Sequence, residues 1–182
     1  YAYPAALRPR TAALLLNPRP DATSAAQTTV LDPFCGSGTS LVEAMRAGCR
    51  AVGTDASPLA LFAATHHTCR LHEAEGAALR DATCRVIRDA LERRRSATKR
   101  SSLWVHLHAA MQADRAADSA LWFLLAASMQ RIEDHDGDAA SCLLATAESY
   151  AAVMAAYEIP QAVPAPTLML QDARSLELPP EC

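Results

Sequence analysis

The 182-residue sequence has no apolar run long enough for a bilayer, no strong charge of either sign and no paired cysteines. Its longest apolar stretch, Leu121 to Met129 (LWFLLAASM), falls well short of the roughly 20 residues a membrane-crossing helix needs. A formal net charge of -3 excludes binding to nucleic acid or membrane through global charge, so any basic surface has to be local. The opening residues YAYPAALRPR lack the apolar segment of a secretory signal. Cysteines 35, 49, 69, 84, 142 and 182 form no CxxC pair, which excludes a disulfide-stapled scaffold and suits a reducing compartment. The chain therefore reads as intracellular, cytoplasmic or nuclear alike. Beginning at Tyr1 rather than Met, it also reads as a piece of something longer. What is present, 51% hydrophobic and 20% charged residues, is enough for a domain with a real core.

Strand and turn signals lie in residues 1–60 and 164–178. TTVLDPF (28–34) and RAVGTD (50–55) are short apolar, β-branched runs that close on or near a carboxylate, as buried parallel strands do. APTLMLQDAR (165–174) predicts a third strand closed by Asp172. Between the first two, GSGTSLVEAMRAG (36–48) predicts a helix with Leu41, Val42, Ala44 and Met45 on one face and Gly48 as its C-terminal cap. Ser57-Pro58 predicts the start of another helix, with Ser as N-cap and Pro at the first helical position. Residues 61–157 hold no proline and two glycines, and their pattern is helical, with breaks expected near Ser96–Ser102 and Asp134–Asp138. The rhythm predicts an α/β fold: a partial doubly wound sheet over 1–65 and 161–182, with a helical insertion at 66–160 between the second and third strands.

The run Asp32-Pro33-Phe34-Cys35-Gly36-Ser37-Gly38-Thr39 carries the chemistry. Glycines between a strand and a helix N-terminus let backbone approach a ligand without Cβ atoms in the way. The dinucleotide fingerprint needs a third glycine where Leu41 stands, and the phosphate loop needs a lysine that is absent. An acid at the start, Asp32, suits a ligand with an amine or cationic end. Asp55 closes the second strand, where a carboxylate can accept two ribose hydroxyls. Asp172 closes the third, where it can accept from an adenine amine. Each acid alone also reads as a solvated loop residue or a cap. Three at the ends of consecutive strands is less easily an accident, because open α/β sheets bind ligands there.

DPFCGSGT, continuing through LVEAMRAGCRAVGTDASPLAL, resembles motif I and its sequel in the amino-methyltransferases, which methylate exocyclic nitrogens of adenine, cytosine or guanine. Tyr3-Pro4-Ala5 is similar to a segment of a DNA adenine/cytosine subgroup, with Ala2 departing from its usual histidine or tryptophan. GTDASPLA and QDAR resemble that subgroup's G-x-D-x-N-P-L-A and G-D-x-R, with Ser57 and Gln171 as departures. The resemblance implies a class I methyltransferase fold and an S-adenosylmethionine site. Asp32 would lie near the methionine amine, Gly36–Gly38 along the methionine, Asp55 on the ribose and Asp172 near adenine. Phe34, Cys35, Thr39, Ala56 and Ala173 would line the same site. It implies methyl transfer to an exocyclic base nitrogen, with DNA ahead of RNA as partner. The family's catalytic [DNS]-PP-[YFW] motif is absent. Leu178-Pro179-Pro180-Glu181 offers a double proline without the flanking polar and aromatic residues, so no catalytic residue is assigned and the chain alone is expected to be inactive. Two rivals remain. One is a tRNA or rRNA guanine-N2 methyltransferase, sharing the loop and an L-x-P segment before it. The other is a degenerate, non-catalytic scaffold.

Three further features read more simply. HHTCRLH places His66, Cys69 and His72 where they could share part of a helix face, without a fourth ligand for zinc. Asp134, Asp136 and Asp138 alternate like a calcium loop, but Ala145 stands where its glutamate belongs. Between Arg80 and Arg100, eight basic residues face three acidic ones. Arg93, Arg94 and Arg95 are its densest point and the candidate contact to nucleic-acid phosphates, against the reading of a solvated helix end.

Overall fold

A computed structural model describes residues 7–16, 28–98, 102–114, 118–133 and 138–178. Among these, three parallel strands form one sheet in the order β1 (Thr29–Asp32), β2 (Arg50–Asp55), β3 (Thr167–Leu170). The register pairs Asp32 with Gly53 and Asp55 with Leu170. Helices α1 (Pro9–Leu15) and α2 (Thr39–Arg46) precede β2 in the chain, and α3 (Pro58–His67) follows it. Four more lie before β3: α4 (Glu73–Ser96), α5 (Leu103–Ala113), α6 (Ser119–Glu133) and α7 (Ala139–Ala155). The fold is α/β, as expected.

Two compact units result. One comprises the described residues of Ala2–Arg70 and Tyr157–Cys182 and contains the sheet; the other is Leu71–Ala156. In the first, α2 packs on β1 and β2, and α3 on β2 and β3. Its core gathers Leu41, Ala44, Met45, Ala51 and Ala64, with Val30 and Leu168 packed against it. Arg70 donates through its guanidinium to the carbonyls of Pro160, at 3.2 Å, and Val163, joining the two stretches of chain that make this unit. In the second unit, α4 buries Gly76, Leu79, Thr83, Val86 and Ala90, and α7 buries Leu143, Ala147, Tyr150 and Met154, both at helical spacing. The Phe123 and Tyr150 rings meet at 5.6 Å between α6 and α7. Small residues let the backbones close in: a Cβ on Gly76 would meet that of Ala151 at 3.4 Å.

Local chemistry sets the boundaries, and several differ from expectation. The helix expected from residue 36 starts at Thr39, because Gly36 and Gly38 take φ of 51° and 86°, a left-handed conformation no α-helix continues through. The expected first strand, 28–34, stops at Asp32, since Pro33 has no N–H to continue the ladder. The expected third strand, 165–174, is only Thr167–Leu170 long, and Asp172 beyond it caps a 3-10 turn (Ala173–Ser175) by accepting from Arg174 N–H at 2.9 Å. Helix α3 starts as foreseen, with Ser57 Oγ accepting from Ala60 N–H and Pro58 at the first position. His66 lies in α3, which ends at His67, so His66, Cys69 and His72 share no helix face. The interruptions after His67 and after Ala113 had no glycine or proline to announce them; each ends at a capping side chain, Glu75 on His72 N–H at 2.8 Å and Asp118 on Ala120 N–H at 3.0 Å. Asp138 caps α7, while Asp134 and Asp136 lie outside the described residues.

Helix α2 shows how strongly one turn is specified. Gly48, at φ 83°, ends it in a Schellman motif: Gly48 N–H donates to Met45 O and Cys49 N–H to Ala44 O, both at 3.0 Å. Leu41 on the same helix is fully buried. Replacing Leu41 with Ala is expected to cost about 2–5 kcal/mol through lost burial and a cavity. Gly48→Ala, which forces Cβ into the left-handed region, should cost about 1–2 kcal/mol. Urea titrations of both variants check this, and a costlier Gly48→Ala would show that the α2 core is not the dominant support.

Candidate functional site at the carboxyl edge of the sheet

Parallel pairing brings the carboxyl ends of all three strands to one edge, and an acid stands at or just beyond each. Asp32 ends β1, Asp55 ends β2, and Asp172 follows β3 by two residues. With β2 central, the acids are ordered Asp32, Asp55, Asp172 across two interstrand steps, about 10 Å at ordinary strand spacing.

Each carboxylate already holds protein donors. Asp32 Oδ1 accepts from Phe34 N–H at 3.0 Å, and its Oδ2 accepts a short hydrogen bond from the Ser40 hydroxyl. Asp55 Oδ2 accepts from Gly36 N–H at 3.0 Å and Oδ1 from Ser57 N–H at 2.8 Å. Asp55 therefore ties the glycine loop to the start of α3. Asp172 pairs with Arg174, whose Nε lies 3.0 and 3.1 Å from its two oxygens. That guanidinium, together with the Arg174 N–H, holds the Asp172 carboxyl below the ordinary range. The Arg174 side chain is 90% exposed, so the pair is screened and easily exchanged.

The loop itself lies flat on β2. Cys35 N–H donates to Thr54 O at 2.9 Å, and Thr54 Oγ1 donates to Pro33 O at 3.1 Å. Gly53 makes this approach possible: a Cβ there would stand 2.6 Å from Leu41 Cδ1 and 3.1 Å from Cys35 Sγ. The structure brings Asp32, Gly36, Gly38, Thr39 and Asp55 together on this edge. Phe34 is 76% exposed beside them, and Ala56 is exposed. Ala173 sits in the 3-10 turn after Asp172. Cys35 departs from its expected role in one respect. Its side chain packs into the core under the loop, and its N–H and carbonyl bond to Thr54 and Gly38.

Three residues outside the expected set shape the site: Ser40 on Asp32, Thr54 under the loop, and His67, whose Nδ1 lies 2.8 Å from Ser37 O. Ser40 and Thr54 neighbour the motif, and a polar group close to an acid at a strand end was a usable signal. His67 is 30 residues from its partner, and no local pattern points to it. The basic run belongs to the other compact unit. Arg93, Arg94 and Arg95 form the last turn of α4, exposed, with Arg93 Nε 2.8 Å from Asp89. Cations there also complement the helix dipole, which is sufficient reason for a solvated end. Lys99 and Arg100 lie outside the described residues.

Comparison with known proteins identifies the family. Residues 1–119 match the family model described as UPF0020: RMKL-like, methyltransferase domain. The match covers β1, the glycine loop, β2 and α3, and leaves β3 and Asp172 beyond its end. Neither the curated proteins nor the solved structures contain a match.

The two acids next to the loop also determine the chemistry of Cys35. Burial first, then the charges of Asp32 and Asp55, push its thiol up to about 12. The thiolate is the reactive form, so Cys35 is a neutral, inert thiol across the physiological range. Burial raises Cys49 as well. Timed alkylation at pH 8 with peptide mapping should therefore modify Cys84 and Cys142, both partly exposed, well before Cys35 and Cys49. Early labelling of Cys35 would show that the loop does not stay down on β2.

Proposed function

Because the chain belongs to the UPF0020 family of RMKL-like methyltransferase domains, we propose that it binds S-adenosylmethionine along the carboxyl edge of a Rossmann-like class I sheet and serves methyl transfer to an exocyclic nitrogen of a nucleic-acid base. The observation that carries this reading is the order of the three acids across the sheet. Asp32, Asp55 and Asp172 stand in the sequence in which the methionine amine, the ribose and the adenine follow one another in the ligand. The parallel order β1-β2-β3, with α2 crossing from the first strand to the second, supports the Rossmann-like reading.

The residues present fit the cofactor. Each carboxylate offers about four lone-pair sites, and Asp55 uses two of them on N–H groups, leaving capacity for two hydroxyls. Asp32 is fixed by two donors in the same way, ready to meet an amine. Asp172 has first to exchange its exposed partner, Arg174. When bound, the cofactor supplies a methyl group on a sulfonium centre. The loop glycines bring backbone to it, and Asp55 holds the ribose end in place.

The substrate is a choice between two nucleic acids. The DNA adenine or cytosine reading rests on Tyr3-Pro4-Ala5, which lies outside the described residues, on the GTDASPLA and QDAR segments, and on a loop that both groups share. The RNA guanine-N2 reading rests on the same loop and on Leu7-Arg8-Pro9, which opens α1 with Pro9 at its first position. Because the DNA subgroup's segments depart at Ala2, Ser57 and Gln171 while the L-x-P of the RNA group stands intact at Leu7-Arg8-Pro9, we place RNA guanine first and DNA second. Arg93, Arg94 and Arg95 are the proposed contact to the phosphates of either.

Titration calorimetry with S-adenosylhomocysteine tests the cofactor site. Asp55→Ala should cost about 1.5–3 kcal/mol for each lost hydrogen bond to the charged carboxylate, and Asp172→Ala less, because Asp172 is solvated. Undiminished binding by Asp55→Ala would sink the ribose assignment. For the substrate, the intact gene product is incubated with unmodified RNA or DNA and the nucleosides are analysed by mass spectrometry. N2-methylguanosine is the expected product, and N6-methyldeoxyadenosine or N4-methyldeoxycytidine would move the assignment to DNA. Neutralising all three arginines should reduce the salt dependence of nucleic-acid binding, by up to ~0.9 log unit per lost contact on a duplex. An unchanged slope would return them to a solvated helix end.

A further inference from the structure

We propose that His67 is a positioning residue for the cofactor, holding the glycine loop in its receptive shape through the carbonyl of Ser37; this deepens the S-adenosylmethionine reading and rests on it. The Ser37–Gly38 peptide is gripped at both poles. Its N–H, on Gly38, donates to Cys35 O at 2.8 Å. Its carbonyl, on Ser37, lies 2.8 Å from His67 Nδ1. A carbonyl only accepts, so the geometry assigns the proton to Nδ1. Burial lowers the imidazole below its ordinary pKa, which keeps the ring neutral near pH 7 and the tautomer well defined.

This grip matters because of what lies on either side. Gly36 and Gly38 both have positive φ, in the region where glycine pays no steric penalty and where rotation to other conformations is also easiest. The Ser37–Gly38 peptide, with one such glycine as its following residue and another one residue before it, turns over easily unless both of its polar groups are held. Asp55 holds the neighbouring Gly36 N–H, but it does not reach the Ser37 carbonyl. Among the described residues it is His67 of α3 that holds the carbonyl, and Ser37 is buried. Helix α3 is close enough to do so because its facing residues are small: a Cβ on Gly38 would lie 3.2 Å from Ala64 Cβ and 3.4 Å from Thr68 Cγ2. Ala64 and His67 are one turn apart on the same face. The start of α3 is itself tied to Asp55 through Ser57 N–H. The helix thus links the residue proposed for the ribose to the loop proposed for the methionine.

The claim separates from a merely structural role by which part of the ligand feels the loss. Binding of S-adenosylhomocysteine and of 5′-methylthioadenosine, which keeps the adenosine and lacks the amino-acid end, is measured by calorimetry for the unaltered protein and three variants. His67→Asn places an amide N–H near the position of Nδ1, His67→Gln places it near Nε2, and His67→Leu removes it. Affinity for S-adenosylhomocysteine is expected to fall about tenfold in His67→Gln and His67→Leu, the order expected for a buried acceptor left unmet. His67→Asn should retain most of it. Binding of 5′-methylthioadenosine should change little in any variant. If the unaltered protein binds neither compound, the cofactor reading fails and this inference fails with it. If it binds both, and His67→Gln behaves like His67→Asn or loses the two ligands equally, the positioning role alone is overturned. Should His67→Leu not fold, the Asn and Gln pair decides the matter.

Discussion

The site depends on how closely the loop after β1 lies on β2. At Gly53 there is no room for a side chain, since a Cβ would meet Leu41 at 2.6 Å and Cys35 at 3.1 Å. Only because the strand is bare there do Cys35 N–H and the Pro33 carbonyl find partners on Thr54. That contact in turn brings Gly36 N–H within 3.0 Å of Asp55. Asp55 then fixes Ser57 and with it the direction in which α3 leaves the sheet. One missing methyl group therefore aligns the loop, the acid at the end of β2 and the helix that follows.

The three acids at this edge are prepared to different degrees. Asp32 and Asp55 are partly buried and bound by backbone or a neighbouring hydroxyl, so their orientation is set before any ligand arrives. Such preorganisation reduces the ordering cost of binding. Asp172 is partly buried as well, but it is paired with the exposed side chain of a cation from its own turn. A ligand group reaching it has to displace Arg174, an exchange of one solvated hydrogen bond for another with small net gain. The acids held by backbone or hydroxyl donors from other turns thus stand at β1 and β2, which is also the part the family match covers.

The unit Leu71–Ala156 follows other rules. Its helices meet through Ala, Gly, Thr and Ser as much as through large side chains; Thr83 and Ser128 are fully buried, each returning its hydroxyl to a carbonyl of its own helix at 2.8 Å. Small residues of this kind allow close backbone approach with little side-chain entropy to lose. The arginines gather instead at the exposed end of α4, where the helix dipole favours them.

By itself the sequence determined the α/β class, the three strands, Ser57 and Gly48 as caps, and the loop with its acids, because these depend on periodicity, on φ preferences and on residues within a few positions of one another. The four-helix stretch was legible as helical for the same reason, though its breaks after His67 and Ala113 were not, since charged and imidazole caps there carry no glycine or proline. Only the tertiary structure decided which atoms the acids hold, that Cys35 turns inward beneath the loop, that Gly53 is required by Leu41, and that His67 reaches Ser37. Apart from the bonds of the acids to residues two to eight positions away, those pairings join residues 12 to 30 positions apart. Their distances follow from parallel strand register and from the packing of α2 and α3 on the sheet, and no local sequence preference encodes that packing.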